Sequence, residues 1–128
     1  MNGIDKALAR LLSRYREVKL AILFGSQASG GADADSDIDL ALLADSPLPP
    51  SRKLELIEVI GAEFGRPVDI VDLFEAAEPV LGEVLKGRRL LGDNSTHAGL
   101  LTKHLINLAD FVPLQQRILA ERRSAWIN

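Results

Sequence analysis

The sequence contains no cysteine, which removes disulfides, thiolate metal sites and cysteine nucleophiles together. Aromatic residues are few, one Trp, one Tyr and four Phe, so the core must be built mainly from aliphatic side chains. Trp126 and Phe111 are expected to pack the C-terminal helix onto the domain or onto a partner. No apolar run approaches the roughly 18 residues needed to span a bilayer, so no membrane association is expected. Positive charge is not in excess: 15 Lys and Arg against 18 Asp and Glu give a net charge of −3. That balance argues against direct nucleic-acid binding, which usually carries a basic footprint. Met1 to Arg16 mixes Asp, Lys and Arg with Leu and Ala and reads as an amphipathic helix, not a signal peptide. A reducing, cytoplasmic location is the expectation. Two phosphate and metal motifs are also missing. No GxxxxGK[ST] exists, and a calcium loop starting at Asp33 fails because its sixth position is Ile38 and its twelfth Ala44.

At 128 residues, 47% of them hydrophobic and 26% charged, the chain suits one globular domain. Ile4, Leu8, Leu11 and Leu12 recur at helical spacing over roughly Gly3 to Tyr15. Val18 to Phe24 is a short apolar run ending at Gly25, the length and bounds of a buried strand. Ser26 to Asp35 reads as a turn and loop. From Asp37 to Leu43 the residues alternate, which puts Ile38, Leu40 and Leu42 on one face and Asp37 and Asp39 on the other. After a proline-rich break, Ser51 is placed as the N-cap of a helix ending near Gly65. Val68 to Leu73 is a third strand, Ala76 to Lys86 a helix, and Arg88 to Leu91 a short fourth strand. From about Thr96 a long helix follows, which Pro113 is expected to kink or divide in two. Strands and helices alternate, so the class is α/β: a small mixed sheet flanked by helices, with a C-terminal helix. Residues 1–92 form the core, and residues 93–128 a helical extension of the same domain that faces a partner.

Two aspartates at i and i+2 on a strand project from one face, about 7 Å apart at the backbone. Their carboxylates can converge on a pair of divalent cations roughly 4 Å apart, the arrangement used for in-line displacement at phosphorus. Magnesium suits such a site because it prefers oxygen ligands and keeps positions open for phosphate and water. Asp69 is the natural third carboxylate, able to bind metal and to help deprotonate an attacking hydroxyl. Asp72, three residues on, should face the opposite side. Gly25 permits close backbone approach to a phosphate, and the hydroxyls of Ser26 and Ser36 can add contacts. Each feature alone is common: an isolated Asp-x-Asp is usually surface decoration, and His97 and His104 read as ordinary packing or surface residues.

Together, Gly25-Ser26, ten intervening residues and Asp37-Ile38-Asp39 match a GS-x10-DxD signature. In this the chain resembles the DNA polymerase beta-like nucleotidyltransferase superfamily. Over its whole length it resembles the minimal nucleotidyltransferases (MNT), antitoxins encoded beside HEPN-domain proteins. The resemblance implies two magnesium ions held by Asp37, Asp39 and Asp69, and a nucleotide triphosphate bound by Gly25 and Ser26. It implies transfer of AMP from ATP to a tyrosine of a HEPN toxin ribonuclease, which is thereby silenced, and a C-terminal part that contacts the toxin in a hetero-complex. A homo-oligomer is a further possibility. In one place the sequence departs from that pattern. Where many relatives carry arginines after the Gly-Ser turn, it has Gln27 and Ser29, leaving Lys53, Lys86 or Arg88 to supply positive charge. Two alternatives are carried alongside: a nucleotidyltransferase for a small molecule such as an aminoglycoside, and a non-catalytic antitoxin that sequesters its toxin.

Overall fold

The computed structural model describes residues 3–25 and 36–127. In chain order these form α1 (Gly3–Leu12), β1 (Val18–Phe24), β2 (Ile38–Ala44), α2 (Pro50–Phe64), β3 (Val68–Asp72), α3 (Val80–Leu85), β4 (Arg88–Leu91) and α4 (Asn94–Ile127). The four strands make one sheet in the order β3-β2-β1-β4. β1 runs antiparallel to both β2 and β4, whereas β2 and β3 are parallel and joined through α2. The expected mixed sheet with flanking helices is therefore what forms.

Both faces of the sheet are covered, which is why β1 reads as a continuous apolar run and not as an alternating one. One face packs Leu23, Ile38, Leu40 and Ile70 against Leu8 and Leu12 of α1 and Leu56 and Ile60 of α2. The other packs Leu20, Ile22 and Ala41 against Leu81 and Val84 of α3 and Leu100 of α4. A register shift between Val18 and Leu20 returns Val18 to the first face, where it joins the α1 and α2 side of the core. No helix among the described residues is long and apolar enough to cross a membrane.

Several boundaries depart from the sequence-based expectation, each through proline. Ser51 is not the N-cap of α2. Pro49 takes that position with extended backbone and Pro50 opens the helix, because a fixed φ and a missing N–H cost nothing in the first turn. At the far end Gly65 adopts a left-handed φ of 63° and its N–H closes on Gly61 O, as anticipated for a glycine stop. The helix expected from Ala76 starts only at Val80, with Pro79 as its N-cap. Ala76 and Ala77 carry no regular structure, and Glu78 sits in the turn that leads through Pro79 into the helix. In the opposite sense, Pro113 does not divide the last helix: α4 is a single 34-residue helix. One lost hydrogen bond is tolerable where many others continue on either side.

Candidate active site

Phe24, the last residue of β1, pairs with Asp39 on β2, and Asp39 pairs with Asp69 on β3. Gly25, Asp39 and Asp69 thus form a row across one end of the sheet, with strands spaced by roughly 4.8 Å. Asp37 stands just ahead of β2, which begins at Ile38. Ile38, Leu40 and Leu42 point into the α1 and α2 side of the core with no exposed surface. Their burial fixes the register of β2 and so turns Asp39 to the opposite face.

The carboxylates act on one another. Partial burial, the charge of Asp69 and then that of Asp37 hold the Asp39 carboxyl above its ordinary value. Three negative groups held this way form a cation-seeking cluster, since a divalent ion reverses the local repulsion. Their hard oxygen donors fit magnesium by type. Among the described residues, no group of three or more acidic or histidine side chains is gathered closely enough to hold a metal as it stands.

Gly25 leaves the strand with φ +73°, and a Cβ at that position would fall on the Asp39 carboxylate, against Oδ2. Only glycine meets both demands. Ser36 is half-buried beside the exposed Asp37. Ser26, Gln27 and Ser29 lie outside the described residues.

Asp72 faces away from the row, as its spacing requires. Its carboxylate accepts from Leu48 N at 2.8 Å and Phe74 N at 2.9 Å, fastening two loops. Of the three cations considered as substitutes for the missing arginines, two are already engaged. Arg88 Nε and NH2 donate to Asp5 Oδ2 and Oδ1 at 2.9 and 3.1 Å, where Asp5 is 2% exposed. That fork, together with the Asp5 charge, holds the guanidinium above its ordinary range. Lys86 Nζ donates to Glu83 Oε1 at 3.1 Å. Lys53 remains. It is half-buried and lines an open cleft of about 390 Å3 together with Asp69, Asp72, Glu75, Ala76, Ala77 and Val80. The Arg88–Asp5 pair spans 83 positions, and nothing local in the sequence signals it. His104 donates from Nδ1 to Glu78 Oε1 at 2.7 Å, a structural tie between α4 and the entry to α3.

Comparison with known proteins gives a consistent picture. The polymerase beta nucleotidyltransferase family matches residues 6–97. The protein adenylyltransferase MntA of Shewanella oneidensis is 32% identical over 89 residues, spanning 69% of this chain and 64% of that protein. The matched region is therefore just under two thirds of that relative's length. Among solved structures, a chain from a toxin–antitoxin complex with AMP-PNP superposes with a TM-score of 0.80 at 26% identity, covering 93% of this chain and 98% of that one. A chain from the tri-AMPylated Shewanella oneidensis HEPN toxin in complex with its MNT antitoxin gives a TM-score of 0.74 at 23% identity, covering 96% and 99%. The last likeness is one of fold.

Proposed function

This chain belongs to the polymerase beta nucleotidyltransferase family, and from that premise we propose that it transfers AMP from ATP to a tyrosine hydroxyl of a HEPN-domain toxin, neutralising it. The observation that carries the reading is the row of Gly25, Asp39 and Asp69 across the sheet end, with Asp37 near enough to raise the Asp39 pKa. Asp37, Asp39 and Asp69 are the residues to hold two magnesium ions. When bound, such ions neutralise phosphoryl oxygens and orient an in-line displacement. The chain's own groups do the rest. Gly25 lets the backbone approach the polyphosphate, and the Ser26 and Ser36 hydroxyls donate to it. Asp69 accepts the proton of the attacking hydroxyl.

The choice of acceptor is supported by the relative named as a protein adenylyltransferase and by the toxin–antitoxin structure with AMP-PNP. The proposed reaction would take place in the cytoplasm, where ATP and such a toxin would meet. The test is incubation with labelled ATP, magnesium and the HEPN-domain protein encoded beside this chain. Label on the partner's tyrosine is expected; an unlabelled authentic partner sinks the reading.

A second reading, neutralisation by binding alone, is favoured by the exposed apolar residues of α4: Leu105 is 57% and Ile106 56% exposed. Asp37→Ala with Asp39→Ala separates the two. Protection lost by a folded double variant favours catalysis, and protection fully retained favours sequestration.

A further inference from the structure

The sheet order makes the two sides of the site unequal. Gly25 ends β1 on one side of Asp39, and Asp69 lies on β3 at the open edge on the other. In-line displacement requires the attacking oxygen and the leaving pyrophosphate to lie on opposite sides of the phosphorus. With the polyphosphate at the Gly25 turn, the acceptor must arrive past Asp69, along the β3 edge. The cleft shared by Lys53, Asp69, Glu75, Ala76, Ala77 and Val80 opens there.

We propose that this β3-edge cleft is the seat of the acceptor tyrosine, with its ring against Ala76, Ala77 and Val80 and its hydroxyl between Asp69 and Lys53. The inference rests on the function proposed above and deepens it.

Three observations select a phenol. Ala76, Ala77 and Val80 offer a short alkyl wall, and Val80 is 42% exposed, so it has apolar surface to give to a ring. Asp72 lines the cleft, but its carboxylate is already taken by two backbone N–H groups. The side chains left for a ligand beside Asp69 are thus one cation, Lys53, and one anion, Glu75. That balance does not fit a polycationic drug, which calls for several free carboxylates. Lys53 also has a use. It is half-buried and, among the described residues, makes no ion pair, whereas a phenol with an ordinary pKa of about 10 needs a nearby positive charge to ionise at neutral pH. In the transfer the phenolic oxygen bonds to the α-phosphorus, the bond to pyrophosphate breaks, and the phenolic proton passes to the Asp69 carboxylate. Lys53 is a positioning residue that stabilises the developing phenolate.

The test uses the full chain and the HEPN-domain protein with which it pairs. Ala77→Trp fills the cleft and should reduce labelling of the partner at least tenfold, while ATP binding by calorimetry and complex formation by gel filtration stay within twofold. Lys53→Met should lower the rate about tenfold at pH 7 and less at pH 9, where the phenol ionises more readily; Lys53→Arg should restore much of it. Unchanged labelling by Ala77→Trp, or a Lys53→Met defect equal at both pH values, overturns the inference and leaves AMP transfer standing. A parent protein that labels no partner overturns both.

Discussion

At the scale of single residues, the site is held by exclusions as much as by contacts. Gly25 has no Cβ because the Asp39 carboxylate occupies that space, and its φ of +73° lies where other residues are strained. Gly25→Ala is expected to lose about 1 kcal/mol of stability from the backbone alone. By displacing Asp39 it should also lower transfer on the order of 100-fold; urea melts and a labelling assay read the two losses separately. Asp39 gives the converse case. Its folded pKa is raised by burial, Asp69 and Asp37, so the stability linked to it is present below the unfolded value and gone once pH rises through the folded one. At pH 7 the ionised group is therefore unfavourable in metal-free protein. Asp39→Asn should raise the unfolding free energy there by about 0.5–1 kcal/mol for a partly solvated repulsion, seen as a higher urea midpoint, and magnesium should stabilise the parent but not the variant. A variant less stable than its parent without metal contradicts the repulsion. The face of Asp39 is legible in the sequence because period two is a strong signal: alternation in Asp37 to Leu43 sets it opposite Ile38 and Leu40, which are buried. The fate of Arg88 is not. Its partner Asp5 lies 83 positions away, and charge clustering alone made Arg88 look available for phosphate.

At the scale of elements, helix placement behind the site depends on two carboxylates at the start of α3 and α4. Glu78 accepts from His104 Nδ1 at 2.7 Å and from Gly82 N at 3.3 Å, tying α4 to the turn into α3. The hydrogen bond from His104 is the main cause that lowers its pKa from 4.5. Asp93 caps α4, accepting from Thr96 N at 2.7 Å, and that bond lowers its pKa from 3.8. Both folded values are depressed, so both groups stabilise the fold above their unfolded pKa and lose that contribution as pH falls through the folded values. Stability should begin to drop below about pH 4.5 through Glu78, then further below about pH 3.8 through Asp93. Glu78→Gln should cost about 1 kcal/mol at pH 7 and flatten the first part of that fall in melts taken from pH 6 to pH 3. An unaltered acid profile in this variant removes Glu78 from the account. The strands could be read in advance because β1 is a short apolar run closed by Gly25, β2 and β3 alternate between apolar residues and aspartate at their starts, and Pro67 and Gly92 punctuate β3 and β4. The starts of α2 and α3 could not, since Pro50 and Pro79 decide them through φ and a missing N–H, and side-chain capping patterns such as that of Ser51 carry no weight against that constraint; the end of α2 at Gly65 could.

At the scale of the whole molecule, the proposed function divides the labour between the sheet end, which would carry the chemistry, and the long helix, which presents apolar surface. Leu101, Leu105 and Leu108 recur at i, i+4 and i+7 on α4 and are 43, 57 and 41% exposed, a stripe with no counterpart in either half of the core. An apolar stripe left in water costs solubility unless something covers it, and under the function proposed above the toxin is what would cover it. If α4 docks the partner, each buried leucine contributes about 1.5–2 kcal/mol. Leu105→Asp with Leu108→Asp should then weaken the complex more than about 100-fold. The same pair should leave the thermal midpoint of the free protein within about 2–4 °C, because neither side chain is in the core. Titration calorimetry against the HEPN-domain partner, beside a thermal melt of the free chain, tests both halves. Retained affinity places docking elsewhere on the molecule, and a collapsed melting point shows that the stripe serves the fold itself. Comparing labelling by this variant at low and saturating partner concentrations then decides how far catalysis depends on docking. A defect that saturating partner relieves assigns α4 to capture alone and leaves the chemistry to the row of Gly25, Asp39 and Asp69.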